Sequence, residues 1–155
     1  MPSSPRPPSS LVAAVHEAGW VGQHLAAIEL ATQALGQPDL APAEQMDLLD
    51  LRAESYVAQG QLDRAAQDVD AMLALAHAAA DRALEAQALN RQVLVQMRSG
   101  ALTAAVQTAA AAVAAAQGVP ALHAASLLRL AEAQMRHGQR ESGLHRAGSR
   151  PAYHS

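Results

Sequence analysis

The chain has 155 residues, a formal net charge of −3 and no cysteine. That length fits one domain. The missing cysteines exclude disulfides and thiolate metal sites, and the acidic balance argues against the basic, aromatic-studded stripe of a nucleic-acid binder.

Half of the residues count as hydrophobic, yet there is no Phe and a single Trp. Most of the apolar count is alanine, the strongest helix former. An alanine methyl buries little area at about 25 cal/mol per Å². A core of this composition therefore has to come from helices that approach closely. All eleven basic residues are Arg, and Asn90 is the lone Asn. This usage reads as a GC-rich, bacterial coding bias. No apolar run approaches the ~20 residues that cross a bilayer, and "MPSSPRPPSS" lacks the apolar centre of a secretion signal. The expectation is a cytoplasmic protein with no membrane partner.

Residues 1–10 hold four Pro and four Ser and are expected to be disordered. A first helix is predicted from Leu11 to about Ala18, broken at Gly19 or Gly22, and a second runs to about Leu35. "GQPDLAP" (36–42) is a loop, with Gly36 suited to follow a helix and Pro42 to begin one. Helices are then predicted at 43–59 and 61–80, on either side of Gly60. Asp81 is placed to cap the helix that starts near Arg82, its carboxylate accepting from free first-turn N–H groups. Gly100 separates that helix from the next. Gly118 and Pro120 bracket a further break before a helix at 121–136, and a poorly formed last helix begins near Gln139. Residues 146–155 read as a disordered tail.

Within this order lies a repeat. Gly60, Gly100 and Gly138 mark successive turns at a nearly constant interval. Leu62, Ala65, Ala66, Val69, Met72, Leu73 and Ala76 trace one helix face, and the same positions one repeat later are again apolar, from Leu102 through Ala116. In the helices before each turn, Leu49, Ala53 and Val57 align with Leu89, Val93 and Met97, then with Leu127, Ala131 and Met135. Repetition at this period predicts an all-α fold: an α-solenoid of antiparallel helix hairpins, about three and a half repeats, with residues 11–145 as the repeat domain.

The pattern resembles tetratricopeptide (TPR) repeats. Ala53, Tyr56, Gly60, Leu62 and Ala65 match that motif's small, aromatic, turn, bulky and small positions. Val93, Gly100, Leu102 and Ala105 match in the next unit, and Leu127, Ala131, Gly138 and Gly143 in the last. Gln96 and Gln134 replace the aromatic, and Arg140 replaces the bulky Leu. The spacing is longer than that of the basic motif and resembles the extended repeats of bacterial transcription activators and nucleotide cyclases. The resemblance implies a non-enzymatic module that binds protein or peptide, needs no cofactor, and has a groove lined by the first helix of each hairpin. Aligned on the turn glycines, the groove positions are Asp47, Asp50, Glu54 and Val57; Gln87, Asn90, Leu94, Met97 and Arg98; and Leu128, Glu132, Met135 and Arg136. Asn90 there could both donate to and accept from a peptide backbone, and Met97 and Met135 would supply an adaptable apolar floor. The family's carboxylate-clamp subclass relies on Lys, which this chain lacks.

Two alternatives stand beside that reading. The chain could be an input fragment of a larger signalling protein. The unfinished last hairpin could also leave Leu127, Leu130 and Leu144 uncovered and support a homodimer. Catalytic and metal signals are weak. His16, Glu17 and His24 lack the spacing of a zinc helix, and His137, Glu141 and His145 fall on a stretch interrupted by glycines.

Overall fold

The computed structural model describes the backbone of residues 9–149 and the side chains of residues 10–143. Seven helices account for the described residues: α1 (Ser9–Trp20), α2 (His24–Leu35), α3 (Pro42–Ala58), α4 (Leu62–Ala79), α5 (Arg82–Arg98), α6 (Leu102–Ala115) and α7 (Pro120–Ser149). They form three hairpins, α1/α2, α3/α4 and α5/α6, followed by a single long helix.

Each helix touches only its near neighbours. Successive helices pack together, and the first helices also pack on one another, α1 on α3, α3 on α5 and α5 on α7. The second helices, α2, α4 and α6, make no such contacts among themselves within the described residues. The array therefore curves, with the first helices on its inner side. This is the α-solenoid that the repeat predicts.

Small residues set the spacing. Ala27, Ala53, Ala65, Ala86, Ala88, Ala105, Ala109 and Ala133 are fully buried at the crossings. Larger side chains fill the spaces between layers. Val15 and Leu48 join the first two hairpins; Met46, Met72 and Val69 join the second to the third; Val93 and Met97 close on α6 and α7.

The hairpin turns share one hydrogen-bonding pattern, in which an N–H beyond the helix returns to a carbonyl five residues back. Gln23 donates to Ala18 O at 2.8 Å, Gln61 to Tyr56 O at 2.8 Å and Ala101 to Gln96 O at 2.9 Å. Gly22, with φ +80°, occupies the left-handed position of the first turn. That settles the choice between Gly19 and Gly22. Gly19 instead lies inside α1, where a Cβ would meet Ser55 Oγ at 3.7 Å. Between α4 and α5 the same bond runs from Asp81 N–H to Ala76 O at 3.2 Å, but the left-handed residue is Ala80, with φ +50°. Asp81 Oδ1 then accepts from the N–H groups of Ala83 and Leu84 at 2.9 and 3.1 Å, the cap its position predicts.

A largely buried ion pair ties the second hairpin together. Arg52 of α3 makes a two-pronged contact with Asp68 of α4, at 2.9 and 2.6 Å. Its third arm donates to Thr32 Oγ1 of α2 at 3.1 Å, and the guanidinium lies 5.8 Å from the Tyr56 ring centre. Hydrogen bonding to Asp68 raises the Arg52 pKa from its ordinary value; burial opposes the shift and the Asp68 charge reinforces it. A raised folded-state pKa means that this contribution is complete below the ordinary arginine value, fades between that value and the raised one, and is gone above it.

The C-terminal quarter departs from the expected pattern. No turn forms at Gly138, and α7 runs through it and through Gly143. A lone glycine costs a helix about 1 kcal/mol, which good helix formers on either side can absorb. A second helix would also need a bulky anchor after the turn. Leu62 and Leu102 provide it in the earlier units, and Arg140 stands in its place here. Arg140 instead donates to Gly100 O at 2.7 Å, which tethers the straight helix to the preceding turn. The helix α1 begins at Ser9 and α7 continues to Ser149, so both reach into the segments 1–10 and 146–155, the rest of which lies outside the described residues.

Two substitutions check these backbone assignments by urea unfolding. Ala80→Gly relieves a left-handed alanine, and Gly138→Ala improves a helix interior. Each should raise stability by about 0.5–1 kcal/mol. A loss of stability in Gly138→Ala would restore the turn.

Candidate binding groove

The inner face is built from residues that recur along the first helices. On α5 the inner edge carries Gln87, Arg91, Leu94 and Arg98, spaced as one helix face. One repeat later, the same row on α7 is Ala125, Arg129, Glu132 and Arg136. On α3 the residues one repeat earlier are Asp47, Leu51, Glu54 and Ala58, with Asp50 and Val57 beside them also lining the inner hollows.

These rows enclose a concavity of about 440 Å³ between α3, α5 and α7, lined by Glu54, Val57, Ala58, Arg91, Leu94, Met97, Arg98, Arg129, Glu132 and Arg136, with His24 at its edge. A narrower hollow of about 170 Å³ continues beside it, with Asp50, Gln87, Asn90, Leu122 and Ala125. Asp47 and Asp50 reach a third depression of about 360 Å³, shared with Val12, Ala13, His16 and Leu51.

The acidic row of α3 is not left open to a ligand. Gln87 Nε2 donates to Asp47 Oδ1 at 2.8 Å and to Asp50 Oδ2 at 3.2 Å. Arg91 Nε donates to Asp50 Oδ1 at 2.6 Å, and its Nη2 to Glu54 Oε2 at 3.2 Å. Two side chains on neighbouring turns of α5 thus stitch three carboxylates of α3. The Arg91 and Asp50 side chains are 13% and 21% exposed, so water screens this pair less than a surface one. The third layer carries a local pair, Arg129 to Glu132 at 3.2 Å. Arg98 and Arg136 have no carboxylate partner among the described residues.

Eleven of the thirteen residues placed in the groove from the sequence line one of these three hollows: Asp47, Asp50, Glu54, Val57, Gln87, Asn90, Leu94, Met97, Arg98, Glu132 and Arg136. Their arrangement differs from the expectation in two respects. The Asn90 carbonyl oxygen is closed off from solvent with no hydrogen-bond partner, so it is not presented to an incoming backbone. Met97 lines the concavity but is only 6% exposed and packs mainly into the core.

The exceptions are Met135 and Leu128, 62% and 58% exposed, which lie outside all three hollows. The α7 groove row is 129, 132 and 136, which turns 128 and 135 toward the side where a second helix would pack. Leu127, also exposed, shares that uncovered side. Leu130 is half-buried against the core of α5 and α6, and the Leu144 side chain lies outside the described residues.

Sequence reasoning misses Arg91 and Arg129. Each stands one residue beyond a position marked by the turn alignment. The available signal is charge pairing across one repeat, since Arg91 follows Asp50 and Glu54 by about the interval that separates the turns.

Among the described residues no group of three or more His, Asp or Glu side chains is placed to hold a metal, and no helix is long and apolar enough to cross a membrane.

No family model matches the chain, and no curated protein matches its sequence. The crystal structure of the Sgt2 TPR domain from Aspergillus fumigatus is similar, with a TM-score of 0.66 and 22% identity over 98% of this chain and 91% of that one. The likeness is one of fold: the chain is a TPR-like helical solenoid.

The bridge between α3 and α5 can be weighed by a double-mutant cycle. Arg91→Met and Asp50→Asn, separately and together, should give a coupling energy of about 1–2 kcal/mol in urea unfolding. A coupling near zero would mean that the pair does not hold the groove wall.

Proposed function

We propose that this chain is a non-enzymatic protein-interaction module that takes an extended segment or helix of a partner protein into the groove formed by α3, α5 and α7. The observation behind this reading is the concavity of about 440 Å³ whose lining recurs from helix to helix. Its floor is apolar at Val57, Leu94 and Met97 and its rim is charged, the combination that lets side chains dock while polar contacts set register. A likeness of fold to a TPR domain supports the same class of role, and the composition supports a bacterial, cytoplasmic setting. The extended-repeat resemblance adds a regulatory context, as the input part of a larger signalling protein.

A second reading rests on a different observation. Leu127, Leu128 and Met135 form an exposed apolar strip on α7, 46%, 58% and 62% exposed. In the earlier layers, Leu89 and Met97, which match Leu127 and Met135, are covered by α6 and α7. A second copy of the chain covering the strip would make a homodimer.

One paired experiment separates the two. Leu94→Glu should abolish capture of the native partner from the host, while Leu128→Glu should leave capture intact and turn any dimer seen by light scattering into a monomer. Equal capture by wild type and Leu94→Glu would remove the groove from the account. A wild type that stays monomeric at high concentration would remove the dimer.

A further inference from the structure

We propose that the chain joins further copies of itself head to tail, the tip of the first hairpin of one copy seated on the uncovered side of α7 of the next. This rests on the second reading above, in which another copy covers the α7 strip, and names the surface that covers it.

The covering surface is an apolar knob. Trp20 at the end of α1, Val21 in the turn and Leu25 at the start of α2 are 82%, 60% and 67% exposed. Trp20 is the only Trp in the chain and stacks on the His16 ring, with centroids 6.2 Å apart and planes 16° from parallel. A large ring held in place in this way resembles the tryptophan anchors that dominate protein interfaces. Hairpin folding does not require the knob. Aligned on the turn glycines, the same positions are Ala58, Gln59 and Asp63 at Gly60, and Arg98, Ser99 and Thr103 at Gly100.

The receiving surface is the side of α7 where a second helix would pack. Ala131, exposed, stands one helical turn from each of Leu127, Leu128 and Met135, so its short side chain leaves a notch among three larger ones. An indole ring suits such a notch, and a methionine sulfur adapts to an aromatic edge.

Charge sets which surfaces meet. Residues 9–51 hold six acidic side chains and no Arg or Lys, whereas residues 82–143 hold six Arg against three acidic side chains. The array is negative at its first end and positive at its last. Head-to-tail contact joins opposite ends; a two-fold contact of strip on strip would press two positive ends together. The contact is heterologous, so the assembly grows as a chain unless its rotation closes a ring. Three large side chains from each copy place it among small, transient interfaces, below about 1,200 Å².

The test follows the full chain, Trp20→Lys and Leu128→Glu by sedimentation velocity and tryptophan emission, up to about 1 mM, where even a weak contact fills. The average mass of wild type should rise with concentration past that of a dimer, its emission should shift to the blue as Trp20 leaves water, and both changes should shrink as salt rises. Each variant alone should stay monomeric. Mixed, they should form a one-to-one dimer and grow no further, because Leu128→Glu keeps an intact knob and Trp20→Lys an intact strip. All tryptophan in that mixture belongs to Leu128→Glu, so its emission should shift to the blue as Trp20→Lys is added. Both sites are exposed, and unchanged far-UV spectra and melts verify that the variants are folded. A wild type that stays monomeric overturns the proposal together with the strip reading. Association by Trp20→Lys but not by Leu128→Glu keeps the strip and replaces the head-to-tail contact with a two-fold one. A mixture that stays monomeric while wild type associates also overturns the proposal.

Discussion

The fold depends on the absence of bulk where helices cross. Ala53, Ala65, Ala105, Ala109 and Ala133 are fully buried there, and each permits a close approach that a larger side chain would block. Alanine contributes little area of its own, so cohesion comes from the backbones and methylenes that it lets into contact. Larger residues, Met46, Leu48, Val69, Met72 and Val93, fill the gaps between layers. Because each helix meets only near neighbours, stability accumulates layer by layer, as in a one-dimensional stack. The same spacing brings α3, α5 and α7 side by side, and that proximity creates the groove.

Much of this is readable from the sequence because the determinants are local and repeated. Gly60 and Gly100 end helices in the same way, and the alignment from Leu62 to Leu102 carries the core face from one unit to the next. The reading fails where one element of the pattern is missing. At Gly138 the turn residue is present but the bulky residue after it is Arg140, and the helix runs on because nothing apolar draws it back. Met135 is misplaced for the same reason. Its counterpart Met97 is buried by the helices that follow it, whereas Met135 has no such helix and faces outward. The α3 carboxylates lie where expected, but their pairing with Gln87 and Arg91 depends on how neighbouring layers abut, which spacing within one helix cannot reveal.

The pairing changes the character of the groove. Read as a row of residues, Asp47, Asp50 and Glu54 look like an acidic end open to a basic ligand. In the folded chain they are held by α5 and act as part of the wall. The charge left over belongs to Arg98 and Arg136. An acidic protein thus carries, on its inner face, cationic side chains without a carboxylate partner among the described residues.

The claim that small residues at the crossings hold the array together is tested most directly by two neighbours on α6. Ala109 is fully buried against α5 and α7, and Ala110 beside it is exposed. Alanine to leucine changes helix propensity little at either place, so urea unfolding of Ala109→Leu and Ala110→Leu isolates the packing effect. The account predicts a loss of about 1–3 kcal/mol for Ala109→Leu and a change within about 0.5 kcal/mol for Ala110→Leu. Equal stability of the two variants would contradict it.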